Sequence, residues 1–163
     1  MIFEMLNELE VLEIAKGIEE GGYAFYNNAA SNAKDESRKK IFEYMAAEEL
    51  EHIKTFERIH QRVVETLGKD APYIYEEEVS AYLRAIWDTA VFNVKGITLN
   101  NMTEIHDAKE ALLIGLQAEK DSILFYETVQ AHTREELTKK VLSRLIKEEV
   151  KHLHDLKNLL EQV

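Results

Sequence analysis

The strongest constraint on this chain is an internal repeat of two short motifs. A glutamate followed six and seven residues later by a Phe-Tyr pair occurs at Glu19 and again at Glu119. A Glu-x-x-His motif begins thirty residues after each of them, at Glu49 and at Glu149. Every part of the second copy therefore lies one hundred residues after its counterpart in the first. A fold for this sequence has to bring two similar halves together.

The residues around these motifs follow the spacing of an α-helix. Apolar side chains recur every three or four positions, which places them on one helix face. One proline and six glycines in 163 residues also favour a mostly helical chain. Asn7 with Glu10, and Thr133 with Glu136, each have the form of a capping box, which marks the start of a helix. The first helix is predicted to run to about Ala33.

The middle of the chain predicts a long connection between two helix pairs. The second helix should end at Gly68, and the third should begin near Thr103. A short amphipathic helix is expected within residues 81–92, followed by a loop over 93–101. A connection of this length suits a crossover along a four-helix bundle. We predict an all-α single domain over residues 1–163, with helix pairs at about 8–67 and 104–163 and a crossover at about 68–103.

Carboxylates and imidazoles stand where a helical core normally has apolar side chains. Residues three apart share a helix face, so each Glu-x-x-His motif presents an oxygen and a nitrogen to the interior. Four buried carboxylates would repel one another and lose hydration, unless divalent cations neutralise them. The charges balance with two such cations. The sequence therefore predicts a two-metal site with six ligands: Glu19, Glu49, His52, Glu119, Glu149 and His152.

The repeat also suggests a role for each predicted ligand. Glu49 and Glu149 are assigned as bridging carboxylates because the neighbouring histidines anchor one metal each. Glu19 and Glu119 then act as terminal ligands. Mixed oxygen and nitrogen ligation suits iron or manganese better than zinc.

Several nearby residues leave alternatives open. Tyr26 and Tyr126 lie two turns after a ligand on the same face, where they could donate hydrogen bonds to the carboxylates or simply fill the core. Glu48 and Glu148 are also matched in the repeat and could reach the ligand face, although the apolar pattern favours Glu49 and Glu149. Glu20 is matched by Lys120 and is predicted to face solvent.

Composition excludes several classes of function. The chain has no cysteine, which excludes disulfides, thiol catalysis and cysteine-ligated iron within it. A net charge of −11 argues against nucleic-acid or anionic-membrane partners. The amino terminus lacks the basic and apolar regions of a signal peptide, and no apolar run is long enough to span a bilayer. A cytoplasmic location is expected.

Four stretches of the sequence resemble the helix motifs of a known family. They are I-E-E-G-G-Y-A-F-Y, A-E-E-L-E-H-I-K-T-F, A-E-K-D-S-I-L-F-Y and K-E-E-V-K-H-L, and they are similar to those of the rubrerythrin branch of the ferritin-like superfamily. We expect a homodimer, and the resemblance implies a ferritin-like bundle with a di-iron site at the same six ligands. It further implies reduction of hydrogen peroxide or dioxygen by the diferrous site, usually in oxidative-stress defence.

The chain departs from the family pattern at two points. Full-length rubrerythrins carry a cysteine-ligated rubredoxin iron, so here electrons are expected from a separate donor protein. Rubrerythrins also resemble one another in an extra glutamate one turn after the third-helix ligand, where this chain has Ser122. The remaining ligand set is similar to the ferroxidase sites of bacterioferritins. A ferroxidase or iron-handling protein is therefore one alternative, and a non-catalytic helical interaction module is another.

Overall fold

The computed structural model describes residues 4–92 and 107–163. Over these residues the chain forms four long helices, one short helix and a small ribbon of two strands. The helices are α1 Glu8–Asn32, α2 Glu36–Leu67, α3 Glu77–Thr89, α4 Ala108–His132 and α5 Glu136–Leu160. The strands are β1 Leu6–Asn7 and β2 Tyr73–Tyr75. The predicted all-α class is confirmed, whereas the predicted loop over 93–101 lies outside the described residues.

The long helices pack as two pairs. Helix α1 lies along α2, and α4 lies along α5, while contacts of α1 with α4 and of α2 with α5 join the pairs. The short helix α3 packs against α4. Among the described residues, no helix is long and apolar enough to cross a membrane.

The first predicted capping box is present at the start of α1. The Asn7 side chain accepts a hydrogen bond from the Glu10 backbone N–H, and the Glu10 carboxylate accepts one from the Asn7 N–H, both at 2.9 Å. The end of α2 was also predicted correctly, since Gly68 follows its last residue with a positive φ of 79°. Glycine adopts this backbone conformation without a steric penalty.

The second predicted capping box is wrong. Helix α5 does begin at Glu136, but Glu135 precedes it and provides no side-chain cap. The Thr133 hydroxyl instead donates to the buried carboxylate of Glu8, at 2.9 Å, and accepts from the Glu135 N–H at 3.1 Å. A contact between distant segments of the chain has therefore replaced the local cap.

Two helix starts differ from the sequence expectation. Helix α4 begins at Ala108, five residues after Thr103, because Asp107 caps it by accepting from the Glu110 N–H at 2.7 Å. Helix α3 begins at Glu77, four residues before the predicted start of the short helix. Propensity and apolar spacing alone do not define these ends, since a polar cap can move them.

The ribbon between β1 and β2 was not predicted. It pairs Leu6 with Tyr75 in antiparallel orientation, directly before α1. The Leu6 N–H also donates to the Ser80 hydroxyl at 2.9 Å, and the Tyr75 hydroxyl donates to Glu8 at 2.7 Å. Strands of two and three residues are too short to show an alternating pattern in sequence. The ribbon ties the crossover to the start of the bundle.

The predicted ligands divide the core into two apolar clusters. On each long helix, one cluster lies before the ligand positions and the other lies after them. We name them after one phenylalanine each. The Phe56 cluster includes Leu12, Ile18, Phe56, Ile59, Phe125, Tyr126, Leu142 and Leu145. The Phe42 cluster includes Phe25, Tyr26, Phe42, Met45, Leu112, Leu156 and Leu159. The charged layer is therefore enclosed by apolar packing along the bundle.

Candidate metal centre

The structure brings all six predicted ligands together in the charged layer. One comes from α1, one from α4, and two each from α2 and α5. Every one of them is at most 3% exposed, in a set made of Glu19, Glu49, His52, Glu119, Glu149 and His152. Carboxylates are almost never buried to this extent unless they are paired or coordinate a metal.

The ligand atoms form two overlapping groups. The first group consists of Glu19, Glu49, His52 and Glu149, and the second consists of Glu49, Glu119, Glu149 and His152. Within each group the ligand atoms lie within 4.8 Å of one another. Only the two glutamates of the Glu-x-x-His motifs belong to both groups. Two metal positions that share two carboxylates would have this arrangement.

His52 lies between the cluster and an outer carboxylate. Its Nδ1 is 3.0 Å from Glu149 Oε1 and 3.3 Å from Glu19 Oε2 and from Glu49 Oε2. Its Nε2 points the other way and is 2.8 Å from Glu148 Oε2. The nitrogen that faces the cluster is therefore Nδ1.

His152 occupies the matching place in the second half with a different outer environment. Its Nδ1 is 3.2 Å from Glu149 Oε2, 3.6 Å from Glu49 Oε1 and 3.7 Å from Glu119 Oε1. Its Nε2 is buried and has no hydrogen-bond partner among the described residues. The rings of His152 and Tyr44 pack edge to face, with centroids 6.4 Å apart.

Without metal, the carboxylates cannot all be ionised. Burial, followed by the charge of Glu149, raises the pKa of both Glu49 and Glu119 well above its ordinary value. Burial alone would also raise the pKa of Glu149, but its close contacts with the imidazoles of His152 and His52 lower it below the ordinary value. The metal-free cluster therefore keeps protons on some carboxylates.

The two histidines also hold protons in the metal-free protein. Burial would lower the pKa of His52, but the charge of Glu19 and close contacts with Glu149 and other carboxylates raise it far above its ordinary value. Burial would also lower the pKa of His152, but Glu119 and Glu149 raise it to about 10. These protons provide positive charge that bound cations would replace.

The donor set fits a pair of cations. Two buried carboxylate oxygens, Glu49 Oε2 and Glu149 Oε1, lie close to His52 Nδ1 but have no partner with hydrogen-bond geometry among the described residues. Buried polar atoms without a partner are rare in folded proteins, and some of those that occur are ligands of an ion. Both atoms belong to the two glutamates that the groups share. Oxygen and imidazole donors together suit iron or manganese.

The two predicted tyrosines reach across the bundle. Both are fully buried. The Tyr26 hydroxyl donates to Glu119 Oε1, and the Tyr126 hydroxyl donates to Glu19 Oε1. Burial and the nearby carboxylates raise the pKa of both phenols well above the ordinary value, so each remains a neutral donor. Each tyrosine thus holds the terminal glutamate of the other half.

The remaining candidates lie outside the cluster. Glu20 is exposed, as predicted. Ser122 is buried, but its hydroxyl donates to the Ala118 carbonyl of its own helix at 3.1 Å. Glu48 and Glu148 are half-buried and form a third group with His52 on its outer side. Sequence reasoning treated Glu148 as a competing ligand and missed its contact with His52. The matched pair in the repeat was the available signal.

Comparisons with known proteins identify the family and the fold of the chain. The sequence model of the Rubrerythrin family matches residues 10–160. None of the curated proteins searched matches the chain at a significant level. One similar crystal structure is that of a candidate ferritin-like diiron-carboxylate protein from Thermotoga maritima, with a TM-score of 0.73 and 22% identity over 97% of each chain. The fold is thus ferritin-like, as predicted, and the chain belongs to the rubrerythrin family.

Proposed function

We propose that the protein is a di-iron oxidoreductase that reduces hydrogen peroxide or dioxygen. The observation that carries this proposal is the sharing of Glu49 and Glu149 by two buried ligand groups. Membership of the rubrerythrin family supports iron as the metal. Two ferrous ions bound there would supply the two electrons that the reduction of a peroxide requires.

In this proposal, each ligand keeps the role that the repeat suggests. Glu49 and Glu149 would be shared by two bound metals, and Glu19 and Glu119 would each complete one metal position. The histidines, His52 and His152, complete one metal position each. The four carboxylates together balance the charge of two divalent ions and favour a higher oxidation state of the metal.

Surrounding residues prepare the site for this chemistry. The hydroxyls of Tyr26 and Tyr126 hold the two terminal carboxylates in fixed positions. The Phe56 and Phe42 clusters exclude water from both ends of the charged layer. A small oxidant needs little space to enter, whereas a larger substrate would require the bundle to open.

The proposal includes partners that act outside the cluster. We propose that electrons come from a separate donor protein, since residues 1–163 hold no cysteine that could ligate a rubredoxin iron. We also propose that the chain acts as one domain, works as a homodimer and resides in the cytoplasm.

A ferroxidase or iron-handling role is the second candidate. Ser122 favours it, because its hydroxyl is bonded to the helix backbone and adds no carboxylate to the four-glutamate, two-histidine set. The two candidates differ in what limits turnover. An oxidoreductase reacts repeatedly with a reductant and keeps its metal, whereas a ferroxidase oxidises added Fe(II) and releases or stores it.

Stopped-flow oxidation of the Fe(II)-loaded protein tests both candidates. The anaerobic protein with two Fe(II) ions is mixed with hydrogen peroxide or dioxygen, and ferric absorption is followed in the near ultraviolet. We expect rapid oxidation by at least one oxidant and repeated turnover with an added reductant. Absence of rapid oxidation would refute the oxidoreductase proposal. Size-exclusion chromatography adds a second criterion, since a dimer favours the oxidoreductase and a 12-mer or 24-mer favours storage.

A further inference from the structure

The two histidines of the cluster differ on the side that faces away from it. His52 Nε2 is 2.8 Å from Glu148 Oε2. His152 Nε2 has no hydrogen-bond partner among the described residues, although His152 is only 1% exposed. The difference is not explained by the repeat, because Glu48 stands at the position that matches Glu148.

A carboxylate at this distance determines the tautomer and the orientation of an imidazole that binds a metal. When Nε2–H donates to Glu148, the proton is fixed on that nitrogen and the lone pair of Nδ1 faces the cluster. The same hydrogen bond fixes the plane of the ring and makes Nδ1 a stronger donor. His52 is therefore preorganised as a ligand.

Glu148 is itself held in place by its surroundings. Its side chain is 35% exposed, and Arg144 Nε lies 3.7 Å from its second carboxylate oxygen. One oxygen thus faces His52 while the other faces an exposed guanidinium. Glu148 can therefore accept a hydrogen bond from His52 while its other oxygen stays outside the buried cluster.

Glu48 provides the same charge without the same contact. It is half-buried, and its ligand atom lies within 4.8 Å of those of His52 and Glu148. No hydrogen bond joins Glu48 to either imidazole in the described part of the chain. Glu48 is therefore a natural control for the charge of Glu148.

We infer that Glu148 is a positioning residue for His52 and makes the two metal positions unequal, with the tighter position at His52. This inference rests on the proposed dinuclear metal site. It predicts that the first divalent ion binds at the group containing Glu19 and His52. The second ion then binds at the group containing Glu119 and His152.

A Co2+ titration of the whole protein tests this order, with d–d absorption as the readout. The wild-type protein should bind two Co2+ ions with distinct affinities. Glu148→Leu should weaken the tighter site by about 10–100-fold, the usual effect of losing a carboxylate that supports a metal-bound histidine. Glu148→Gln should restore most of the affinity, because its amide oxygen still accepts a hydrogen bond. Glu48→Leu should leave the tighter site unchanged.

Three outcomes overturn the inference. One is equal affinity of the two sites in the wild-type protein, and another is an equal loss in Glu48→Leu and Glu148→Leu, which would mean that charge alone matters. The third comes from the Zn2+-loaded wild-type protein, whose histidine NMR signals do not depend on how a variant folds. A slowly exchanging Nε2–H is expected at His52 and not at His152, and its absence at His52 contradicts the inference.

The experiment also separates this inference from the proposed function. If the wild-type protein binds fewer than two Co2+ ions, the dinuclear site itself is refuted. If two ions bind unequally but Glu148→Leu does not change the tighter affinity, only the role of Glu148 is refuted. Thermal melting of each metal-free variant shows whether the protein remains folded.

Discussion

The two helix pairs supply matching glutamates and histidines to the buried cluster but differ in the residues around them. At one pair of matching positions, Gly21 lies against Phe92 and leaves room for it, while Asp121 accepts a hydrogen bond from the Val91 N–H at 3.1 Å. Both positions therefore contact the crossover at residues 91 and 92. Gly21 does so because it lacks a side chain, whereas Asp121 does so through its side chain. A single crossover joins the two pairs. The repeat can thus be symmetric at the ligands and must be asymmetric where the crossover packs.

The largest effect we expect is a loss of stability of the metal-free protein as the pH rises. The pKa of His152 is raised from 6.5 to about 10 in the folded state, and that of His52 is raised further. Above pH 6.5 the folded state then binds more protons than the unfolded state, so a higher pH favours unfolding. The loss should reach several kcal/mol, since one pKa unit corresponds to about 1.4 kcal/mol.

Thermal melting of the metal-free protein between about pH 6.5 and 9 measures this slope. Saturating Mn2+ should flatten it, because bound cations replace the protons. An increase in melting temperature of the metal-free protein over this range would contradict the assignment of charge in the cluster. Proton-detected NMR titration would further compare the two halves, since His152 should titrate before His52.

Replacement of the shared glutamates should affect metal binding equally in the two halves but the stability of the metal-free protein unequally. Glu49→Gln and Glu149→Gln should each weaken metal binding by at least about 100-fold, because ligands matter at least as much as outer partners, whose loss costs up to that amount. In the metal-free protein the two changes should act oppositely. Glu49→Gln removes a carboxyl whose pKa is raised and should stabilise, whereas Glu149→Gln removes the ionised partner of two histidines and should destabilise.

Calorimetric metal titration and urea denaturation measure these two effects. Glu20→Gln is the matched control, because Glu20 is exposed next to a ligand on α1. Similar shifts in metal-free stability for both shared glutamates would mean that the cluster is as symmetric in charge as it is in sequence.

The crossed tyrosine contacts should contribute equally in the two halves. Tyr26→Phe and Tyr126→Phe each remove a hydrogen bond to the terminal glutamate of the other pair. A hydrogen bond to a charged group contributes about 1.5–3 kcal/mol, so in the metal-loaded protein, where both glutamates are ionised, each variant should lose stability in that range. Urea denaturation provides the measurement, and Tyr82→Phe is the control because Tyr82 is 48% exposed. If the two variants lost stability unequally, the two halves would differ within the cluster as well as in the residues around it.

The smallest expected effect concerns the packing of the crossover on α1. A Cβ at Gly21 would lie 2.5 Å from Phe92 Cβ and 2.6 Å from its carbonyl oxygen. Gly21→Ala should therefore destabilise by about 1–3 kcal/mol, as overpacking usually does. At Gly22 a Cβ would meet only ordinary contacts, the nearest at 3.4 Å from Glu49 Cδ. Gly22→Ala should be neutral or should stabilise by up to about 1 kcal/mol through helix propensity.

Thermal melting of the two metal-free glycine variants gives this comparison directly. Equal effects at Gly21 and Gly22 would show that the crossover can move away from α1 without cost. The asymmetry between positions 21 and 121 would then have no structural role in the crossover.

The sequence alone predicted the helices and the ligand cluster for one physical reason. A carboxylate inside an apolar helical stripe, such as Glu19, needs a partner, and the repeat supplied three more carboxylates with two histidines. Contacts that join distant segments were not predictable in this way. Two examples are the hydrogen bonds from Tyr126 to Glu19 and from Thr133 to Glu8. Both depend on how the two helix pairs face each other, which helix periodicity does not specify. The contact of Glu148 with His52 was missed because Glu148 has the same sequence pattern as Glu48.

The division of the core into the Phe56 and Phe42 clusters has a consequence for the life of the protein in a cell. The charged layer between them is where the metal-free bundle has to hold protons in place of cations, because buried carboxylates need a compensating charge. Metal binding there adds directly to folding free energy. Unfolded protein is removed by proteases, so about 1–2 kcal/mol can change abundance several-fold. We therefore expect the steady-state amount of this protein to follow the supply of its metal.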